Sequence, residues 1–350
     1  MGIELEGMLD TYLKYGGEDI RQYCQTYTDT MINANGDIRG YDIQDYNLDN
    51  IRTGHFVTRM YQQWPEAKNL LAMQTMMKQL QNQPRTIADK VYWHKAIYAY
   101  QVWLDCIFMG LPFRVLTAPI TEKVKGSKGK KVKNPVIDIY DDAVNQLKIT
   151  YERTLDPKTG LNRHAYDETR NTFWADKETG LSKHTWARAM GWFVMAMTEI
   201  LDALPENYAR RAEVIDILHQ AMTAAVKYQD EKSGLWYDVM DVKSDKNYLE
   251  STASAMFTYV LLKGSRLGYL PEPMFKEAGV KAYNAIIEKM IKVNPDMTIS
   301  LTDCCAVSGL GPDSNPKRDG TFEYYMSEPI RDNDPKGVGP FIWASLEMER

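Results

Sequence analysis

Cysteine is scarce: four residues in 350, at Cys24, Cys106, Cys304 and Cys305. The last two are adjacent, a spacing at which cysteines rarely bridge each other, and no Cys-x-x-Cys or Cys/His ligand spacing occurs. Neither a disulfide framework nor a structural zinc is expected. Histidine is as thin, with five scattered residues and no His-Glu-x-x-His pair to bind metal from one helix face. No run of about 18 consecutive apolar residues exists, so no membrane-spanning helix is expected. Gly309-Leu-Gly-Pro312 lacks the preceding strand and third glycine of a dinucleotide loop, and no P-loop, nucleophile elbow or nucleic-acid motif is present. A net charge of −5 argues against a binder of nucleic acid or other polyanions. No signal-peptide pattern is visible in the first residues. Ile3, Leu5, Met8, Leu9 and Tyr12 already run in helical phase, which fits a truncated natural N-terminus. A soluble protein, cytoplasmic or periplasmic, is expected, and nothing in the sequence sets its oligomeric state.

What the chain does contain is helical periodicity. It is 44% hydrophobic and 25% charged, the profile of an ordinary globular protein. No linker interrupts it, so one domain over 1–350 is expected. Apolar spacing predicts helices at about 3–14, 18–33, 47–63, 66–82, 96–109, 138–153, 184–203, 208–228, 249–266, 273–291 and 337–349. A weak repeat lies between them. Asp156-Pro-Lys-Thr-Gly-Leu resembles Asp230-Glu-Lys-Ser-Gly-Leu, with fainter copies at Asn35 and Asp319. Helix–turn–helix units whose turns carry aromatics and carboxylates predict an all-α toroid, with one rim lined by those turns. Residues 119–136 read as a Lys-rich loop, either a solvated surface segment or a basic flap that steers an anion.

Three patches bear chemistry. His184 to Trp192 opens an amphipathic run in which Arg188 and Trp192, four apart, share a helix face; Trp186 must then sit at the helix mouth. An arginine fork and flat aromatic faces suit an anionic sugar, although core tryptophans with a salt-bridged arginine would read the same. The second patch is Trp93-His94-Lys95 followed by Tyr98, Gln101 and Asp105, which fall on one face if this stretch is helical. Apolar neighbours around Asp105 should desolvate its carboxyl, raise its pKa and suit it to general-acid work. The alternative is a buried Asp tied to a partner helix. Asp49 starts another helix, where it would complement the dipole and pair with Arg52 at i+3. In the third patch, His164, Tyr166 and Asp167 follow the first repeat turn, and Ser182 offers a cap before the 184–203 helix. Near the end, Asp334-Pro335 suits a helix entrance, with glycines that could turn N–H groups toward an anion.

Assembled, these segments resemble the unsaturated rhamnogalacturonyl hydrolases of glycoside hydrolase family 105, relatives of the unsaturated glucuronyl hydrolases of family 88. The matching stretches are Trp93-His-Lys, Gln101 to Phe113, Lys158-Thr-Gly-Leu, His164-Ala-Tyr-Asp-Glu, Trp186-Ala-Arg-Ala-Met-Gly-Trp, Gly234-Leu-Trp-Tyr, Leu249-Glu-Ser and Asn333 to Phe341, in family order over nearly the whole chain. The resemblance implies an (α/α)6 barrel. It implies Asp105 as general acid/base and Asp49 as second carboxylate, with His94, Lys95, His164, Trp186, Arg188 and Trp192 around an unsaturated uronic acid. The family's Trp-x-Tyr-x-x-Gly would place its glycine at Gly2, so its aromatics and the leading helix are absent here, and the Lys-rich segment is an insertion.

The implied reaction is hydration of an enol ether. The substrate carries a C4=C5 double bond conjugated with the C6 carboxylate, as polysaccharide lyases leave it. The anomeric carbon is not attacked, so the carboxylate-spacing rule for ordinary glycosidases does not apply. No metal or cofactor is implied. The implied partner is an anionic oligosaccharide from pectin, with an unsaturated galacturonosyl-rhamnose unit foremost. Unsaturated glucuronyl or ulvan fragments, or a non-catalytic carbohydrate-binding toroid, are the alternatives.

Overall fold

The computed structural model describes residues 2–122 and 134–350. The helices in its first half are α1 (Gly2–Tyr15), α2 (Glu18–Met31), α3 (Arg52–Gln63), α4 (Ala67–Asn82), α5 (Leu104–Thr121) and α6 (Pro135–Thr154). Those in the second half are α7 (Ala187–Ala203), α8 (Arg211–Val226), α9 (Ser251–Arg266), α10 (Pro273–Lys289), the short α11 (Phe322–Ser327) and α12 (Pro335–Met348). Three two-stranded ladders stand between them: β1 (Gln101–Trp103) with β2 (Ala165–Asp167), β3 (Ile291–Val293) with β4 (Ile299–Leu301), and β5 (Cys304–Cys305) with β6 (Ile330–Arg331).

Burial sorts the helices into two rings. Helix α7 is buried continuously from Ala187 to Leu201, which only a helix covered on all sides can be. Helix α2 buries only Cys24 and Thr28 and so lies outside. The inner ring runs α1, α3, α5, α7, α9, α12 and back to α1, with α2, α4, α6, α8 and α10 packed around it. This is the (α/α)6 barrel, with five long outer helices among the described residues. Small residues close the ring. A Cβ on Gly339 would stand 2.7 Å from the Ile3 carbonyl oxygen, and one on Gly7 would stand 3.2 Å from Ile342, so α1 and α12 meet almost backbone to backbone. Side chains set the helix entrances: Asn134 accepts from Val136 N at 3.1 Å, Glu250 from Thr252 N at 3.0 Å, and Asp334 from Lys336 N at 2.9 Å.

The repeat is real and has a third copy. Asp156, Asp176 and Asp230 each accept at their carbonyl from a glycine four residues on (Gly160, Gly180, Gly234) at 2.8 Å, and each N–H donates to the next leucine carbonyl at 2.9 Å. The glycines sit at φ 75, 79 and 79°, where a side chain is strained. The segments at Asn35 and Asp319 form other turns.

Several expectations change. The stretch 96–109 is not one helix: Gln101–Trp103 is strand, and the helix runs on from Leu104 to Thr121. Asp49 lies in a 3-10 turn, Leu48–Asn50, ahead of α3. Arg52 turns away from it to Glu6 (2.8 Å) and Glu199 (2.6 Å). Helix α7 starts at Ala187 with Trp186 as its N-cap residue, not at His184, and Ser182 does not cap it. Helix α5 averages apolar enough over 18 residues to match a bilayer, but it is an inner-ring helix carrying Asp105 and Arg114. Of the Lys-rich loop, residues 119–121 belong to α5 and 135–136 to α6, while 123–133 lie outside the described residues.

Candidate active site

A cavity of ≈ 350 Å³ opens where the N-terminal ends of the inner helices converge; α1, α3, α5, α7 and α12 all contribute first-turn or near-first-turn residues to its lining. Helix N-termini carry partial positive charge and free N–H groups, so the fold itself aims a positive end at this space.

The ladder β1–β2 builds one wall. Trp103 pairs with Ala165, and Leu104 N donates to the His164 carbonyl at 3.1 Å. This register brings Asp105, in the first turn of α5, beside the buried His164, with Nε2 to Oδ2 at 3.3 Å. His164 is oriented from behind by the Tyr325 hydroxyl at 2.8 Å from Nδ1. Two more backbone bonds attach the second carboxylate: His94 N to Gln101 O at 3.1 Å, and Leu48 N to His94 O at 3.2 Å. Asp49 then meets Lys95 at 2.6 Å and His94 Nε2 at 3.7 Å. The rings of His94, Trp103 and Tyr98 stack into a flat panel with centroids 4.7 Å apart at each step.

Opposite stands Arg188. Its guanidinium lies over the Trp186 ring, 4.5 Å from the centroid. It donates to the carbonyls of Cys305 and Ala306. No carboxylate among the described residues pairs with it, although it is only 1% exposed. Glu250, Asp334 and Asp238 act on it only from beyond ion-pair distance, so a buried cation with no carboxylate in contact faces the cavity, an arrangement suited to receiving an anion. Trp192 stacks on Phe108 at 4.7 Å to make the floor.

The electrostatics of Asp105 reverse the sequence expectation. Burial does push its pKa up, but His164, then His94 and Arg188, outweigh burial and hold the carboxyl below its ordinary value. Near neutral pH the Asp105 carboxyl is therefore ionised among these neighbours. His94 is depressed by burial, against the opposing pull of Asp49.

Seven of the eight sequence-designated residues line the cavity: Asp49, His94, Lys95, Asp105, Trp186, Arg188 and Trp192. His164 stands one layer behind, against Asp105. Arg318 and Lys336, which the sequence did not single out, also line it, as does Arg52, expected only as a partner of Asp49. Lys336 lies in the Asn333 to Phe341 motif. Its ammonium meets Asp334 at 2.8 Å, and burial and Arg188 lower its pKa. A second cavity, ≈ 230 Å³, lies at the other end of the ring. Its carboxylates are already paired, Asp10 with Arg59 and Asp202 with Lys263. Glu6, His55 and Glu199, which also line this second cavity, approach within 4.8 Å as ligands might for a metal, but the guanidinium of Arg52, reaching from the first cavity's lining, bridges both glutamates there.

The model of Glycosyl Hydrolase Family 88 matches residues 1–350. The chain belongs to that family. A solved family 105 glycoside hydrolase of C. acetobutylicum is 40% identical, covering 99% of this chain and 92% of that one with a TM-score of 0.92. A protein of Agrobacterium fabrum is 36% identical over 243 residues, 68% of this chain and 97% of its own length. An unsaturated rhamnogalacturonyl hydrolase of Bacillus subtilis is 26% identical over 171 residues, 49% of this chain and 43% of that protein. As a member of family 88, the protein is a glycosidase, and its helical toroid is the family's (α/α)6 barrel.

Proposed function

We propose that this family 88 glycosidase removes a 4,5-unsaturated uronic acid from the non-reducing end of lyase-generated oligosaccharides, with unsaturated galacturonosyl-rhamnose as the preferred unit. The observation that carries the reading is the buried Arg188, with no carboxylate in ion-pair contact, lining with Asp105 a cavity ringed by helix N-termini. Arg188 holds the uronate, and Trp186, Trp192 and the His94–Trp103–Tyr98 panel flank the ring. The similarity to an unsaturated rhamnogalacturonyl hydrolase supports the choice of sugar.

Asp105 delivers a proton to C4, and positive charge develops on C5 and the ring oxygen. Water adds to C5 and gives its proton to a carboxylate, Asp105 or Asp49. The resulting C5 hemiketal opens and the glycosidic bond is released. A proton donor must be protonated when it acts. Asp105 is held ionised first by His164, then by His94 and in part by Arg188. An incoming uronate neutralises Arg188 and sets a like charge beside Asp105, and both changes raise its pKa. Substrate thus brings the acid to the state it needs. Only interactions that strengthen toward the transition state speed the step; the developing oxocarbenium charge meets the carboxylate of Asp49.

The test follows loss of the conjugated double bond's ultraviolet absorbance. Asp105→Asn should lower kcat by about 10²-fold or more. Arg188→Met should lower kcat/KM by about 10²-fold, mostly through KM, as expected when one side of a buried charge pair is deleted. Wild-type turnover by Asp105→Asn would defeat the reading.

A further inference from the structure

Behind the Arg188–Trp186 pair lies a buried carboxyl that the reaction does not use. Asp238 is 0% exposed. Its backbone is clamped on both sides: Ala187 N donates to its carbonyl at 2.8 Å, and its own N–H donates to Tyr248 O at 2.9 Å. Oδ1 accepts from the Trp186 indole Nε1 at 2.9 Å. Oδ2 has no well-formed hydrogen-bond partner, and neither has the Tyr248 hydroxyl near it. Trp186 is the common support of the site, with Arg188 over its ring and His164 4.9 Å from its centroid. Whatever holds the edge of that indole sets the relation between the anion receptor and the neighbour of the proton donor.

The groups facing Asp238 are Glu250, Arg188, Tyr248, Cys305 and Tyr325. Arg188 alone is a cation, and its hydrogen bonds go elsewhere, to the Cys305 and Ala306 carbonyls. Glu250 is a like charge, engaged at Thr252 N, Ala253 N and Cys305 N. Cys305 is pushed up to about 12, first by burial, and Tyr325 is raised for the same reason, so neither carries charge near neutrality.

Resting on the reaction proposed above, we infer that Asp238 is a positioning residue for the uronate receptor: it holds the Trp186 indole beneath Arg188 without becoming that guanidinium's counter-ion. The protonated acid suits this task. An acid accepts from the indole through its carbonyl oxygen and leaves the cation's charge for the substrate. An ionised Asp238 would satisfy Arg188 internally and compete with the uronate. Burial first, and the Glu250 charge next, push its carboxyl up to about 8, so the competition begins only on the alkaline side.

The test is the pH dependence of KM and kcat on an unsaturated uronyl disaccharide, for wild type, Asp238→Asn and Asp238→Ala. Wild-type KM should rise several-fold as pH passes about 8 while kcat stays nearly level. Asp238→Asn keeps the acceptor and removes the charge, so its KM should match wild type at neutral pH and lose the added rise above about pH 8, keeping only the slope that proton uptake at Asp105 imposes on both proteins. Asp238→Ala frees the indole and should raise KM at every pH. An unchanged alkaline rise in Asp238→Asn, or a loss confined to kcat, overturns the inference. A second readout needs no turnover: the wild-type-minus-Asn infrared difference should show a protonated carboxyl band that titrates near pH 8. Its absence overturns the inference even if the variants fold poorly. A protein that shows the band but bleaches no unsaturated uronide refutes the reaction instead.

Discussion

Asp105 is where sequence and structure part most instructively. Its neighbours in the chain, Trp103, Leu104, Cys106, Ile107 and Phe108, are apolar, and from them alone a raised pKa follows. Burial does act in that direction. The outcome is set by His164, His94 and Arg188, which arrive from 59, 11 and 83 residues away in the chain and are invisible to local pattern. The same blindness misplaced Arg52, whose nearest carboxylate in sequence is Asp49 but whose partners are Glu6 and Glu199. The residues that carry the family motif were legible, because Trp186, Arg188 and Trp192 keep fixed spacing on one helix. Whether the tryptophans were core or site was not legible, and they are both: Trp186 is 1% exposed yet supports the cavity wall. One consequence is measurable. If substrate binding protonates Asp105, as the proposed reaction requires, binding should take up as much as one proton near neutral pH. Affinity should then fall as pH rises. Calorimetry of an unsaturated disaccharide in buffers of different ionisation enthalpy should show this uptake, and Asp105→Asn should abolish it. Buffer-independent binding heat in wild type would contradict the substrate-driven protonation.

At the scale of elements, helix existence was readable and helix entrances were not. Periodicity located ten of the eleven long helices to within about five residues at either end; the exception is α5, expected over 96–109 and found at Leu104–Thr121. There Tyr98, Gln101 and Asp105 fit a helical face, but Gln101–Trp103 pair with Ala165–Asp167. A three-residue strand has too little alternation to announce itself, and its partner lies across the chain. That ladder is what puts His164 against Asp105, so the misread element is the one that makes the site. The closure of the ring is likewise silent in composition, since a glycine inside a helix reads only as a weak point. Gly339→Leu would drive side-chain atoms into the Ile3 carbonyl and pry α1 from α12. Denaturation should show a loss of about 1–3 kcal/mol or more, as for overpacked cores. Gly16→Asn, at φ 78° with nothing within 4 Å, should cost little, because asparagine tolerates that conformation.

At the scale of the molecule, two systems of charge share the barrel axis. Near the helix N-termini, cations outnumber carboxylates and Arg188 is left open. Deeper, both terminal nitrogens of Arg52 are paired, with Glu6 and Glu199, and His55 lies 2.9 Å from Glu6; α1, α3 and α7 meet at this junction. Removing its cation strands two buried carboxylates. Arg52→Met should therefore cost about 3–5 kcal/mol in a denaturant titration. Lys95→Met breaks a pair whose Asp49 side chain is 41% exposed, and should change stability by under about 1 kcal/mol while raising KM. Equal losses from the two would mean that the deep cluster is not a structural centre.

The central claim is that the protein acts on the double bond and not on the glycosidic bond as such. Its most direct test offers the enzyme two disaccharides that differ only at C4–C5, unsaturated and saturated galacturonosyl-rhamnose, and follows ultraviolet absorbance together with released rhamnose. The account predicts bleaching and rhamnose release in step from the unsaturated sugar, none from the saturated one, and neither with Asp105→Asn. Release of rhamnose from the saturated sugar at a comparable rate would contradict it.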